Sequence, residues 1–250
     1  MQGSVGREMS GGAEALTRRG LLRLGLGIST TLVAHSIGIG TARSDSLAKL
    51  FVFVPSDMAI FAFQKLMSSA LPDADIVAFG RYRDFESSLA DRPDAVLTLQ
   101  PVIEAKQLKA AVTGSMAGSM IEPCALVAVG KAVEAQSLDS VGIVDILGHK
   151  GMKDLVSRIV GSSPRVERVT KNEDLLPLLQ FSTVDAVVLP ERLVASLQAR
   201  SKLDLRATRT VAGLGLPALS IMTPAGASLV DKFRKLSGRA NQEMGVARWE

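Results

Sequence analysis

The chain has 250 residues, of which 47% are hydrophobic and 22% are charged, a composition typical of globular proteins that bury a core. The formal net charge is only +4, and lysines and arginines form no stripe, which argues against a nucleic-acid-binding surface. Cys124 is the single cysteine, so an intramolecular disulfide is excluded. His35 and His149 are too few for a multi-histidine metal site, and we expect no metal and no other cofactor.

The N-terminus has the parts of a signal peptide in the usual order. Residues 17–23 read Thr-Arg-Arg-Gly-Leu-Leu-Arg and resemble the twin-arginine export motif. An apolar run diluted by glycines follows, and Gly40, Thr41 and Ala42 are the small residues that a signal peptidase reads. We expect residues 1–42 to be a twin-arginine signal peptide and the protein to be periplasmic, with the twin-arginine translocase as its partner during export. An uncleaved anchor is the alternative.

The first half of the remaining chain alternates between strand-like and helix-like segments. Continuous apolar runs predict strands, and apolar residues at helical spacing predict helices. The order is a strand, a helix, a strand, a helix and a strand, at residues 50–54, 57–71, 75–79, 82–90 and 94–97. This β-α-β-α-β order favours a parallel sheet with right-handed crossovers. Residues 102–118 are predicted to form a helix and a Gly/Ser-rich loop, followed by a strand at 125–129 that leaves the first lobe.

A second series of strands and helices occupies the rest of the chain. Strands are predicted at residues 141–146, 165–170, 184–189 and 218–222, with helices after each of them. Asn172 is predicted to cap one helix, and Pro190 and Pro224 each to begin another. Residues 203–211 are predicted to return the chain to the first lobe.

Three stretches of the second series, residues 137–144, 173–188 and 216–224, carry a resemblance to a known family. Their order resembles that of type-2 periplasmic solute-binding proteins, in the phosphonate-binding-like branch. The resemblance implies an α/β fold with two lobes, each a mainly parallel sheet flanked by helices. Lobe 1 would be residues 48–125 plus 206–250, and lobe 2 residues 126–205. The implied function is capture of a small solute by lobe closure, for a membrane transporter or a sensor.

Candidate ligand-binding residues lie in loops that follow predicted strands, because ligands of α/β sheets bind beyond the carboxyl ends of the strands, near helix N-termini. Hydroxyl, amide and charged side chains there are suited to hold a solute, which would be anionic if the His-Lys pair takes part. These candidates are Ser56, Asp57, Thr98, Gln100, His149, Lys150, Gly151 and Glu191. For Ser56 and Asp57, a helix-capping role is the alternative.

Two other functions stay open at this point. An exported enzyme on the same fold would have only His149 and Asp145 as an acid–base pair, and the chain has no Gly-x-Ser-x-Gly elbow and no phosphate-binding loop motif. A redox-related accessory protein would fit the export route, but the sequence holds no haem or iron–sulfur ligand set. We therefore predict a binding protein rather than an enzyme.

Overall fold

The structure is a computed structural model that describes residues 47–250. The predicted signal peptide, residues 1–42, lies outside the described residues, and the twin-arginine motif stays a prediction. Within residues 47–250, no helix combines the length and the apolar character needed to cross a membrane.

The strands at the centres of the sheets coincide with apolar runs of the sequence. In chain order they are β1 (Ala48–Phe53), β2 (Ala74–Ala78), β3 (Ala95–Leu99), β4 (Ala110–Ser115), β5 (Ile121–Glu122), β6 (Cys124–Val129), β7 (Ser140–Val144), β8 (Arg165–Val169), β9 (Ala186–Pro190), β10 (Leu205–Arg209), β11 (Leu214–Gly215), β12 (Pro217–Ile221) and β13 (Arg248–Trp249).

The helices connect these strands and cover the sheets. They are α1 (Ile60–Ala70), α2 (Tyr82–Ser88), α3 (Gln100–Ala105), α4 (Gly148–Val160), α5 (Leu175–Gln180), α6 (Glu191–Ala199), α7 (Ser228–Lys235) and α8 (Arg239–Glu243). Two predicted helix starts occur as short 3-10 turns instead, at Asn172–Asp174 before α5 and Pro224–Ala227 before α7. Pro190 is the residue that precedes α6 rather than its first helical residue.

Two large sheets organise the fold. The first has the strand order β13-β4-β12-β3-β1-β2, and the second has the order β10-β6-β9-β7-β8. Each contains a parallel core of three strands, β1 to β3 in one sheet and β7 to β9 in the other. Antiparallel strands extend each core on one side, so both sheets are mixed. The predicted β-α-β-α-β units are these parallel cores.

The chain crosses between the two sheets twice, and the crossings pair with each other. Strands β5 and β11 form a separate two-stranded antiparallel sheet, with Leu214 opposite Glu122 and Gly215 opposite Ile121. We call the part of the chain that carries the first sheet lobe 1 and the part that carries the second sheet lobe 2. Because the two crossings are short and lie side by side, the lobes are connected at one place only within the described residues.

The assignment of β10 corrects the sequence analysis, which returned the chain to lobe 1 at residue 206. Strand β10 pairs with β6 at the edge of the second sheet, so the return occurs only at β11. Its edge position explains why its residues do not identify it as a strand of the second sheet, since Leu205 is buried whereas Arg206 and Arg209 are exposed. An edge strand with charged residues lacks the continuous apolar run of a central strand. The lobe 2 strand β6 likewise begins at Cys124, inside the range predicted for lobe 1.

Lobe 1 contains three elements that the sequence analysis missed. Strand β4 lies in a segment predicted as helix and loop, since its glycine, serine and alanines give no strand pattern. Helix α8 and strand β13 add the C-terminus to the same sheet. Trp249 anchors this end, because its ring packs edge-on against Phe233, with centroids 4.9 Å apart, and its Nε1 donates to Oδ1 of Asn241 at 2.9 Å.

An aromatic cluster fills lobe 1 beneath the carboxyl ends of its parallel strands. Phe53 stacks on Phe85 with ring centroids 5.3 Å apart, and Phe79 meets Phe85 edge-on at 5.8 Å. Burying one such side chain contributes roughly 1.5–3 kcal/mol to stability. The cluster therefore gives a firm base to the loops that follow β1 and β2.

Candidate ligand-binding cleft

A cleft of about 430 Å³ opens between the lobes at the carboxyl ends of β1 and β2 in lobe 1 and of β7 and β8 in lobe 2. Lobe 1 contributes the loop after β1, the start of α1 and the loop after β2, and lobe 2 contributes chiefly the segment after β8. The polar side chains that line it are Ser56, Asp57, Arg81, Asp84, Thr170, Lys171, Asn172, Glu173 and Arg200. A cleft of this size suits a small molecule.

The two walls of the cleft differ in character. Lobe 1 supplies most of the apolar surface, and lobe 2 adds one apolar side chain, Val144. The lobe 1 contributors are Phe53, Pro55, Met58, Ala59, Ile60, Phe63 and Phe79. A solute with an apolar portion would therefore bury that portion against lobe 1 and meet the polar side chains that both lobes supply.

Opposite charges line the cleft in equal number, and some of them neutralise one another. Arg200 forms an ion pair with Asp57 at 3.2 Å, and Lys171 forms one with Glu173 at 3.1 Å. The side chains of Arg81 and Asp84 make no hydrogen bond or ion pair within residues 47–250. These two exposed groups, at the beginning of α2, are the charges that the cleft leaves for a solute.

Asp57 lines the cleft, and its carboxylate reaches across to lobe 2. Its Oδ1 accepts a hydrogen bond from Asn172 Nδ2 at 3.0 Å, and its Oδ2 accepts from Ser196 Oγ at 2.8 Å and from Arg200 Nη2 at 3.2 Å. The capping alternative is wrong for this residue, because α1 begins only at Ile60 and makes no side-chain capping bond. Asp57 joins the lobes instead.

Ser56 also lines the cleft, but its hydroxyl has partners inside lobe 1. Its Oγ accepts a hydrogen bond from the backbone N–H of Met58 at 3.1 Å and lies 3.4 Å from the Glu243 carboxylate. This turn holds the loop after β1 in place. Ser56 therefore shapes the cleft, while its hydroxyl remains near enough to the surface of the cleft to meet a solute.

Thr98 and Gln100, two further candidates, lie outside the cleft lining. Thr98 is fully buried in β3, between β1 and β12. Gln100 begins α3 and packs on the crossing strand β11, where a Cβ on Gly215 would lie 2.7 Å from the Gln100 Cβ. Strand β3 ends beneath the crossings, and this is why its carboxyl end does not face the cleft.

His149, Lys150 and Gly151 belong to the first turn of α4 and do not line the cleft either. The position that an anion would take at this helix end is filled by the chain itself. Asp145 Oδ1 accepts from the backbone N–H groups of Gly148 at 2.7 Å and Leu147 at 3.3 Å, and its Oδ2 pairs with Arg168 at 2.6 Å. A carboxylate at a helix N-terminus is favoured by the same N–H groups and dipole that would attract a bound anion.

Gly148 places this helix end against lobe 1. Its φ of 69° is in the left-handed region that glycine adopts without strain, and a Cβ there would lie 3.4 Å from Cε1 of Tyr82. The last candidate, Glu191, begins α6, is exposed and pairs with Arg209 of β10 at 3.1 Å. Glu191 does not line the cleft.

A smaller cavity of about 50 Å³ lies deeper, beside the crossings. It is mainly apolar, but Glu122, Arg192 and Cys124 also line it. Burial raises the pKa of Glu122, and the nearby Arg192 offsets only part of that effect. Burial also raises the pKa of the Cys124 thiol to about 12, so this thiol is a structural group rather than a nucleophile. Residues 47–250 contain no group of His, Cys, Asp and Glu side chains that could hold a metal ion.

The sequence analysis missed several lining residues. Arg81 and Asp84 follow β2, and Thr170 to Glu173 follow β8, so the strand-end rule that selected the other loops would have found them. Arg200 is different, because it lies just after α6 and nothing in the sequence indicates that it reaches the cleft.

Comparison with known proteins places the fold. No protein-family model and no curated protein sequence matches the chain. Solved structures do match. XAC2383 from Xanthomonas citri bound to ATP has a TM-score of 0.56 at 10% identity, covering 81% of this chain and 90% of that one. An ancestral arginine-binding protein bound to arginine has a TM-score of 0.53 at 15% identity, covering 79% and 92%. The chain has the two-lobed fold of periplasmic binding proteins.

A third similar structure is the periplasmic VFT2 domain of Bordetella pertussis BvgS, with a TM-score of 0.52 at 15% identity, covering 80% of this chain and 91% of that one. The predicted α/β, two-lobed, type-2 fold is thereby confirmed. At this level of identity the likeness concerns the fold alone, and the phosphonate-binding branch stays a prediction.

Proposed function

We propose that this chain is a periplasmic solute-binding protein that closes lobe 1 and lobe 2 around a small solute in the interlobe cleft. The observation that carries this proposal is the cleft itself, which has an apolar wall from lobe 1, polar groups from both lobes and two charges, Arg81 and Asp84, that have no partner among residues 47–250. The fold shared with periplasmic binding proteins supports it. Closure would be a hinge motion at the paired crossings β5 and β11.

The cleft suggests which groups the solute carries. Arg81 would meet an anionic group, in keeping with the predicted anionic solute, although from lobe 1 and not from the His149-Lys150 pair. Asp84, three residues along α2, would meet a cationic or hydrogen-bond-donating group. Phe79, partly exposed at the end of β2, would cover an apolar portion between them. Amino acids, and phosphonates and sulfonates that carry an amino group, offer such combinations.

A thermal-shift screen of phosphonates, sulfonates, amino acids and inorganic oxyanions tests the proposal. A solute that binds only the folded protein stabilises it by about 2.7 kcal/mol at a hundred times its Kd, which raises the Tm measurably. Mass spectrometry of small molecules released from the purified protein provides a second route to the solute. Absence of any shift and of any released molecule would count against a solute-binding function.

Variants of Arg81 and Asp84 show whether the solute occupies this cleft. Arg81→Gln and Asp84→Asn should weaken binding of a solute found in the screen by about tenfold or more, since each removes a charge-assisted hydrogen bond. Arg83→Gln is the matched control, because Arg83 lies on the same helix, is exposed and does not line the cleft. If the two variants and the Arg83→Gln control bind the solute with equal affinity, the solute binds elsewhere.

Delivery to a membrane transporter is the downstream role that we propose. One similar structure is described as the substrate binding protein of an amino acid ABC transporter, with a TM-score of 0.50 at 11% identity, covering 79% of this chain and 92% of that one. A sensor partner is the alternative. Affinity capture of membrane proteins with the solute-loaded protein distinguishes them, since either a permease or a receptor should be retained.

Export by the twin-arginine route completes the proposal. Replacing the pair by Arg18→Lys and Arg19→Lys should leave the protein in the cytoplasm, while an Arg7→Lys control should be exported normally.

Turnover at His149 and Asp145 has no support in the geometry, because the Asp145 carboxylate is held by Arg168 and by the N-terminus of α4. Two of the similar structures named above are described as an arginine-binding protein and as a periplasmic domain. His149→Ala should leave solute binding unchanged.

A further inference from the structure

One carboxylate of lobe 1 is held by three donors of lobe 2. Asp57 follows β1, whereas Asn172, Ser196 and Arg200 belong to the segments after β8 and around α6. The three hydrogen bonds measure 3.0, 2.8 and 3.2 Å. We call these four residues the Asp57 latch.

The inner contacts of the latch are largely shielded from water. Asn172 is 7% exposed, and the Asp57 side chain is 19% exposed, so both have given up most of their contact with water. Hydrogen bonds to an ionised carboxylate are stronger than those between neutral groups, particularly away from bulk water. Arg200, at 46% exposure, forms the outer and most solvent-screened of the three contacts.

All three contacts depend on the same movement. Each joins the loop after β1 to a lobe 2 residue more than a hundred positions along the chain, and the lobes connect covalently only at the crossings. Moving Asp57 away from lobe 2 therefore breaks all three bonds together. Their combined free energy opposes opening and does not depend on a solute.

We propose that the Asp57 latch biases the two lobes toward the closed arrangement, so that contacts within the chain contribute part of the closure free energy. This goes beyond the proposed function, because it concerns the lobes themselves and holds for any solute. A protein whose binding-competent state is already populated loses less affinity to the conformational change. The latch then raises affinity through closure of the lobes.

Distance measurement between the lobes tests this in protein from which small molecules have been removed. Ser68 on α1 and Lys153 on α4 are exposed, one in each lobe, and Ser68→Cys with Lys153→Cys provides attachment sites for two spin labels. Cys124 is 2% exposed and need not be replaced. Pulsed electron–electron double resonance then reports the distribution of distances between the two labels, and so between the lobes.

Asp57→Asn should raise the ratio of open to closed molecules by roughly tenfold, because it removes the charge from all three hydrogen bonds. Arg200→Gln should raise it less, since that contact is half exposed. Asp91→Asn is the control: it removes an exposed carboxylate of lobe 1 that does not line the cleft and has no partner in residues 47–250, and it should leave the distances unchanged. Raising the salt from 0.05 to about 1 M should open the wild-type protein slightly and Asp57→Asn not at all.

An unchanged distance distribution in folded Asp57→Asn would overturn the proposal, as would an equal change in Asp91→Asn. Circular dichroism and a cooperative thermal transition establish that each variant is folded. If Asp57→Asn fails that check, the pair Ser196→Ala and Arg200→Gln decides the outcome in its place. Because no solute is present, the result is independent of whether the thermal-shift screen finds one.

Discussion

Nε of Arg192 lies 2.7 Å from Oε1 of Glu122, and this ion pair joins helix α6 of lobe 2 to the first crossing strand. The geometry is that of a charge pair rather than of an aligned hydrogen bond. The Glu122 side chain is only 5% exposed and the Arg192 side chain 24%. Gly245 of lobe 1 approaches the same guanidinium, since a Cβ there would lie 2.6 Å from Nε. Lobe 1, lobe 2 and the crossing therefore meet at Arg192.

Removing the arginine should be costly. Arg192→Met leaves the buried Glu122 carboxylate without its counter-charge, and we expect the free energy of unfolding at pH 7 to fall by about 3 kcal/mol. Urea denaturation followed by circular dichroism measures this. The double variant Glu122→Gln with Arg192→Met should recover part of the loss, because no uncompensated charge is then buried. A double variant as unstable as the sum of the two single variants would show that the residues act independently.

The raised pKa of Glu122 predicts a pH dependence with a definite sign. Between the ordinary pKa of a glutamate, 4.5, and the raised value in the folded protein, the folded state binds more protons than the unfolded state. The contribution of this group to stability is therefore complete below pH 4.5 and is lost as the pH rises through the folded-state pKa. Glu122→Gln lacks this loss, so its stability relative to wild type should increase from pH 4.5 upward. A constant difference between the two unfolding free energies at all pH values would contradict the assignment.

The thiol of Cys124 should be unreactive in the folded protein. Its pKa of about 12 and its burial in β6 mean that almost no accessible thiolate exists at pH 8. A disulfide reagent such as dithionitrobenzoate should therefore label the thiol only after unfolding in guanidinium chloride. Protein carrying Ser68→Cys is the control, because one exposed thiol per molecule should react at once. Rapid labelling of the native wild-type protein would show that the crossing region opens readily.

Asp145 should stabilise lobe 2 through the N-terminus of α4. Asp145→Ala leaves the N–H groups of Leu147 and Gly148 without their acceptor and Arg168 without its counter-ion, and should cost about 1 kcal/mol. Asp145→Asn keeps an acceptor oxygen at the helix N-terminus and should cost less. Thermal unfolding of the two variants beside wild type measures the order of their stabilities. Asp139→Ala serves as a control at an exposed carboxylate. An Asp145→Ala protein as stable as wild type would remove the capping role.

Whether a strand can be recognised from its own residues depends on where it lies in its sheet. Central strands such as β1, β3 and β9 bury both faces, so their apolar runs were recognisable from residues alone. The edge strand β10 and the glycine-containing strand β4 gain their strand character from neighbours distant in the chain. Their own residues carry little local preference for a strand, which is why one was assigned to the wrong lobe and the other was missed.

The candidate site shows the same division. Ser56 and Asp57 were predicted from the end of β1, and the structure places both in the cleft. The sequence by itself determined the alternation of buried strands and amphipathic helices, because hydrophobic burial acts over a few neighbouring residues. Only the tertiary structure decided that Arg200 faces Asp57 and that Asp145 occupies the end of α4. Charged side chains carry no periodic signal, and their partners are set by how the two lobes come together.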